Sequence, residues 1–180
     1  MLNNIAALYG TGAVIGDYQS ISTTTVGVGG VASVTFSSIP STYSHLQIRA
    51  LVRDSTTGSA KVTFNSDGAS NYSAHALYGD GASALATNQL TTYIPIQRNG
   101  YVAIATSTFS GIVLDILDYA NTNKNKTTRS LAGWDANGSG FINFESGSWR
   151  NSASAISSIT LTSNGTAFQQ YSSFALYGIK

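Results

Sequence analysis

From His45 to Arg53 the chain reads His-Leu-Gln-Ile-Arg-Ala-Leu-Val-Arg, with apolar residues at every second place. Leu46, Ile48, Ala50 and Val52 face one way; Gln47, Arg49, Leu51 and Arg53 face the other. That period of two belongs to a strand and is useless to a helix. Val31–Phe36 and Ile156–Thr162 are similarly rich in β-branched residues. Gly111–Tyr119 is apolar on both faces except at Asp115 and Asp118, which predicts a central strand. Breaks fall at Gly29-Gly30, Ser38-Ile-Pro40, Asp67-Gly68, Asp80-Gly81, Asn99-Gly100, Asn137-Gly138 and Asn164-Gly165. Such X-Gly pairs supply the positive-φ positions that tight turns need. The spacing predicts about nine or ten short strands in an all-β, antiparallel β-sandwich of jelly-roll type. No helix is expected; Gly81–Leu90 reads as a loop or one helical turn.

Residues 1–17 lack this alternation. Ile5-Ala-Ala-Leu-Tyr-Gly-Thr-Gly-Ala-Val-Ile-Gly-Asp17 is apolar and broken by glycine, so the domain is set at 18–180 with an extended arm before it. The arm reads as a segment that reaches onto a neighbour, with an extra edge strand as the alternative, since an apolar tail left in water is a liability. Leu2, Ile5, Leu8, Val14 and Ile15 are its anchoring candidates. Ala-Leu-Tyr-Gly occurs at 7–10, 76–79 and 175–178, but unequal spacing and differing flanks argue against a structural repeat.

What covers the surface narrows the function. Only 9% of residues are charged, against about a quarter in ordinary domains. Ser and Thr make up about a quarter of the chain instead. Hydroxyls keep a surface wet without long-range repulsion, and a net charge of +1 does little to hold copies apart. This composition suits a repeated part of an assembly or an adhesive module. Nine basic against eight acidic residues offer little phosphate affinity, so nucleic acid is disfavoured. The basic run Lys124-Asn-Lys126 with Arg129 reads as a solvated turn. No apolar run reaches membrane-spanning length. The absence of cysteine excludes disulfides, and the uncharged start Met-Leu-Asn-Asn does not fit a signal peptide, so synthesis in a cytoplasm is expected.

Candidate chemistry is sparse. Asp135-Ala-Asn-Gly-Ser-Gly140 places Asp135, Asn137 and Ser139 at positions 1, 3 and 5 of a calcium loop. Position 12 is Ser146, with Glu145 one place early, and the flanks look like strands. A hairpin turn explains these residues more simply, and no metal or cofactor is expected. His45 and His75 lie near no Gly-x-Ser-x-Gly elbow. Asp115 and Asp118, three apart on a strand, point to opposite faces and cannot share a glycosidic bond; pairing with Arg49, Arg53 or Arg129 suits them better. The chain therefore reads as a non-enzyme. Trp134 and Trp149 are the interface or glycan-contact candidates, because such rings bury much area while keeping a polar tip. Trp134 shares a face with Ser130 and Ala132, opposite Leu131, which suggests an outward ring. Trp149 follows an apparent bulge or turn, Glu145-Ser-Gly-Ser148.

Phe36-Ser-Ser-Ile-Pro-Ser-Thr-Tyr43, His45–Arg49, Asp115-Ile-Leu-Asp-Tyr-Ala-Asn-Thr-Asn-Lys124, Arg129–Gly140, Ile156–Leu161 and Tyr171–Lys180 together resemble a family of virion structural proteins of tailed bacteriophages. The resemblance spans roughly 18–180. It implies a trimeric β-sandwich used either as a capsid decoration (cement) protein or as the distal, receptor- or glycan-binding domain of a tail fibre or tailspike. A fibre would carry a long shaft before this domain, whereas about 17 residues precede it here, which favours decoration. The expected partners are two further copies and the major capsid protein, possibly with a host surface glycan. The expected location is the outer capsid surface at capsomer junctions, where a trimer matches local three-fold symmetry.

Overall fold

The computed structural model describes residues 17–56, 58–97 and 107–180. Its twelve strands form two antiparallel sheets, as the alternation requires. The larger has eight strands in the order β1 (Tyr18–Thr25), β12 (Ser173–Ile179), β3 (His45–Val52), β8 (Ser110–Leu117), β9 (Lys126–Asp135), β10 (Gly140–Trp149), β5 (Tyr72–Gly79) and β6 (Ala84–Thr91). The smaller runs β2 (Ser33–Phe36), β11 (Ile159–Ser163), β4 (Ala60–Phe64), β7 (Ile94–Gln97). Only β5–β6, β8–β9 and β9–β10 join sequence neighbours, so most of the pairing is long-range.

Between the sheets lies one core. Leu46, Ile48 and Val52 of β3, Leu114 and Ile116 of β8, Phe174 and Leu176 of β12 meet Val62 and Phe64 of β4 and Ile159 and Leu161 of β11. At its edge Gly178 lies beneath Tyr43, whose ring occupies the space a Cβ would need. β8 is central, as its two-sided apolarity predicts. Four to eight rows of inward side chains on β3 and β12 alternate as expected, but the other half of the large sheet does not.

Above β9, β10 and β5, β7 runs so close that the inward positions must be small or polar. A Cβ on Gly147 would meet Ile94 Cγ2 at 2.6 Å. Ser130 Oγ donates to the Ile96 carbonyl at 3.3 Å, and Gln97 Nε2 donates to Ser110 Oγ at 3.1 Å. Ala74, Thr128, Ser130, Asn143 and Glu145 are therefore buried.

Two expectations change. Ala84–Thr91 is a strand, neither loop nor helical turn, because its backbone pairs with β5 from Tyr72↔Thr91 to Gly79↔Ala84. Pairing along an edge overrides its weak β-propensity. Glu145–Ser148 is no bulge either: β10 runs unbroken to Trp149, in register with β9 and β5. The Asn137-Gly138 hairpin is present, with φ of 53° and 105°, and Ala136 N–H donates to the Ser139 carbonyl at 2.7 Å. It joins two strands, so the calcium-loop residues serve as a turn. Asn99-Gly100 lies outside the described residues.

Candidate interaction surface

The outer face of the large sheet carries side chains that water does not suit. Strand register sets them in rows. One row runs Ala175, Arg49, Val113, Leu131, Phe144, Leu77, Ala86 across β12, β3, β8, β9, β10, β5 and β6. The next runs Ser173, Leu51, Gly111, Gly133, Ile142, Gly79. Leu51, Leu77, Ile142 and Phe144 are each more than half exposed, and Val113 and Leu131 are 39% and 44% exposed. On β10 the usual polarity is inverted, with Ile142 and Phe144 in solvent while Asn143 and Glu145 are buried. A period-two pattern on that strand taken alone would assign the faces the other way round.

Beside these rows lies a polar row, Tyr177, Gln47, Asp115, Arg129, Ser146 and His75. Arg129 pairs with Asp115 at 3.2 Å, the kind of partner expected from the sequence. Gln47 Nε2 donates to the other Asp115 oxygen at 2.8 Å and accepts from Arg49 Nε at 2.7 Å. The Arg49 guanidinium then lies 5.5 Å from the Tyr18 ring centre and 5.3 Å from that of Tyr177. The charges of this face are thus occupied with one another, and its apolar rows are left open. Two shallow troughs, of about 640 and 720 Å³, follow them and share Val113 and Leu131.

The residues singled out from sequence are placed elsewhere. Trp149 is fully buried and offers no ring face to a glycan or a neighbour. Its Nε1 donates to Asp67 Oδ2 at 2.8 Å, and its ring packs on Tyr72 and Phe64. Trp134 does share a face with Ser130 and Ala132, but that face is the inward one and Leu131 is the exposed neighbour. The Trp134 ring is half-buried in a cleft of about 340 Å³ between the β5–β6 and β9–β10 turns, together with Asp80, Asp135 and Phe141. Asp80 Oδ1 accepts from Ala82 and Ser83 N–H groups; the Ser83 bond, then the Ala82 bond, holds its carboxyl below the usual range. Leu2, Ile5, Leu8, Val14 and Ile15 lie outside the described residues.

The basic run is not a solvated turn throughout. Lys126 is fully buried, donating to the Lys124 and Asn151 carbonyls at 3.2 and 3.1 Å, and burial lowers its pKa. Lys124 pairs with Asp118 just past β8, and that bond holds the Asp118 carboxyl below its usual range. His45 Nδ1 accepts from the Asp118 N–H at 3.0 Å, a strand-end role, whereas His75 is exposed on β5. Among the described residues no three His, Cys, Asp or Glu side chains come together as a metal site.

The outward apolar residues are the functional signal that the tryptophans obscured. The available clue was two-sided apolarity: β8 carries Val113 and Leu117 opposite Ile112, Leu114 and Ile116. A strand apolar on both faces asks for two covering layers, and this chain supplies one. Comparison with protein-family models, curated proteins and solved structures finds no match to this chain.

Proposed function

We propose that the chain is a non-enzymatic virion structural protein, a homotrimeric capsid decoration protein that adds buried area at capsomer junctions on the outer shell. The observation that carries this reading is the apolar outer face of the large sheet, held open on β3, β8, β9, β10 and β5. Contiguous exposed apolar surface of this kind marks a protein-binding site. Low charge supports it, since copies crowd on a shell without mutual repulsion, and the sequence resemblance supplies the virion context. Synthesis in the host cytoplasm with later attachment to the shell fits the lack of any disulfide.

Cryo-electron microscopy of intact particles carrying the protein tests it. Density for three copies over each capsomer junction is the expected result. Density confined to the tail would overturn the decoration role. A second reading, a glycan-binding tail-fibre or tailspike domain, is favoured by one feature: the cleft that sets the Trp134 ring beside Asp80 and Asp135. Glycan-array binding abolished in Trp134→Ala, with copies at the tail, would select it.

A further inference from the structure

The outer face has a hole as well as knobs. Gly111 and Gly133 are directly paired on β8 and β9, and Leu51 and Ile142 flank them in the same row. With Val113 and Leu131 along one side, they make a slot floored by bare backbone. The two glycines have different reasons to be there. A Cβ on Gly133 would meet the Phe141 carbonyl oxygen at 2.8 Å, so its own chain forbids a side chain. A Cβ on Gly111 would meet nothing within 4 Å, and its φ is not in the left-handed region. Glycine weakens a strand interior and often marks a place where another molecule comes close. Nothing among the described residues requires it at Gly111, in the middle of the sheet.

From these observations we infer that the Gly111–Gly133 slot receives the Leu77–Phe144 ridge of a second copy of this chain. The inference rests on the assembly reading above and names the surface that assembles. Leu77 and Phe144 are adjacent on β5 and β10 and project from the same face, about 10 Å from the slot at normal strand spacing. The six large apolar side chains of the face expose about 600 Å², most of the roughly 800 Å² that each partner gives to a standard interface. The Asp115–Arg129 pair and the turning of Arg49 onto two tyrosines leave the face nearly neutral, so a like copy is not repelled. Slot and ridge are separate patches, which makes the contact heterologous. Each copy gives a ridge to one neighbour and takes one from the other, and the ring closes at three.

Light scattering after gel filtration, at micromolar protein, tests this with wild type, Gly111→Thr and Leu77→Ser. Wild type is expected at three times the 18.8 kDa chain mass. Gly111→Thr fills the slot with a good strand former, so it should keep or raise the thermal midpoint of the fold while weakening association at least tenfold. Leu77→Ser removes the knob from an exposed site and should give the same loss; it decides the matter if Gly111→Thr does not fold. A monomeric wild type would overturn both the slot and the trimer. Trimers in wild type and in both variants would overturn the slot and leave the trimer standing. Variants that remain trimeric but no longer bind shells would give this face to the capsid and also overturn the inference.

Discussion

Trp149→Ala is expected to unfold the protein far more readily, although sequence suggested that this ring serves a partner. Trp149 is fully buried, stacked 6.5 Å from Tyr72 and tilted 5.7 Å from Phe64, between centroids. Truncating a large core aromatic costs about 3–5 kcal/mol through lost transfer energy and the cavity left behind. The bond from Nε1 to Asp67 adds up to about 1.5–3 kcal/mol as a hydrogen bond to a charged group. The two losses overlap, so about 4–6 kcal/mol is expected, a large part of the roughly 5–15 kcal/mol that holds a domain together. Trp149→Phe keeps most of the packing and should cost only about 1–2 kcal/mol, because Asp67 retains bonds from Asn71 and Ala69. Urea unfolding followed by far-ultraviolet circular dichroism reads both. At a slope near 2 kcal/mol/M the alanine midpoint should fall by about 2–3 M and the phenylalanine midpoint by under 1 M. Acid adds a second check. The bond from Asn71, then that from Trp149, holds the Asp67 carboxyl below its model value of 3.8. A depressed carboxylate contributes stability above pH 3.8 that disappears as pH falls through the folded value. The gap between wild type and Trp149→Phe should therefore narrow below pH 3.8. An alanine shift under about 0.5 M at unchanged slope would refute the core role, and a gap independent of pH would refute the coupling to Asp67.

Alkali should act through Tyr72, whose hydroxyl accepts from Phe64 N–H at 3.0 Å and whose pKa burial pushes up to about 12. A raised phenol pKa means stability fully present below pH 10 and lost as pH rises from 10 to 12, so thermal midpoints should drop more steeply there in wild type than in Tyr72→Phe. Asp54 is buried without a cation, its carboxylate accepting from Ser55, Thr166 and Ala167 N–H groups and from Ser163 Oγ. Asp54→Ala leaves those donors unpaired and should cost about 3 kcal/mol or more in urea unfolding, with Asp54→Asn losing less.

Alternation made β3 and β8 legible because each borders the deepest part of the core, where one face simply excludes water. Turn chemistry did the same for Asn137-Gly138. Legibility failed where a neighbour set the rule. Residues 84–91 are a strand because β5 pairs with them, and Lys126 is buried because backbone carbonyls receive its ammonium. Neither partner is close in sequence. Trp134 and Trp149 drew attention as large amphipathic rings, yet the residue type alone does not say which side of a sheet it occupies. A shift of one place reverses every side chain on a strand.

That ambiguity is visible in one tetrapeptide. Ala-Leu-Tyr-Gly in β12 puts Leu176 wholly inside, whereas the same four residues in β5 leave Leu77 57% exposed. What differs is the layer opposite. Over β12 the smaller sheet leaves room for leucine; over β5, β7 comes close enough that Ala74 and Ala76 must face it, and leucine takes the outer side. The same pressure from β7 sends Leu131, Ile142 and Phe144 outward, and it explains the inverted polarity of β10 without any reference to a partner. It does not explain Gly111, which lies under open space, nor Val113 and Leu51 beside it on strands whose inner faces are already apolar. At those positions the chain could carry Thr or Ser, as it does over much of its remaining surface, at no cost to its own fold. Hydrophobic residues retained there, around a glycine with no internal reason to be glycine, are what a surface looks like when another protein completes it.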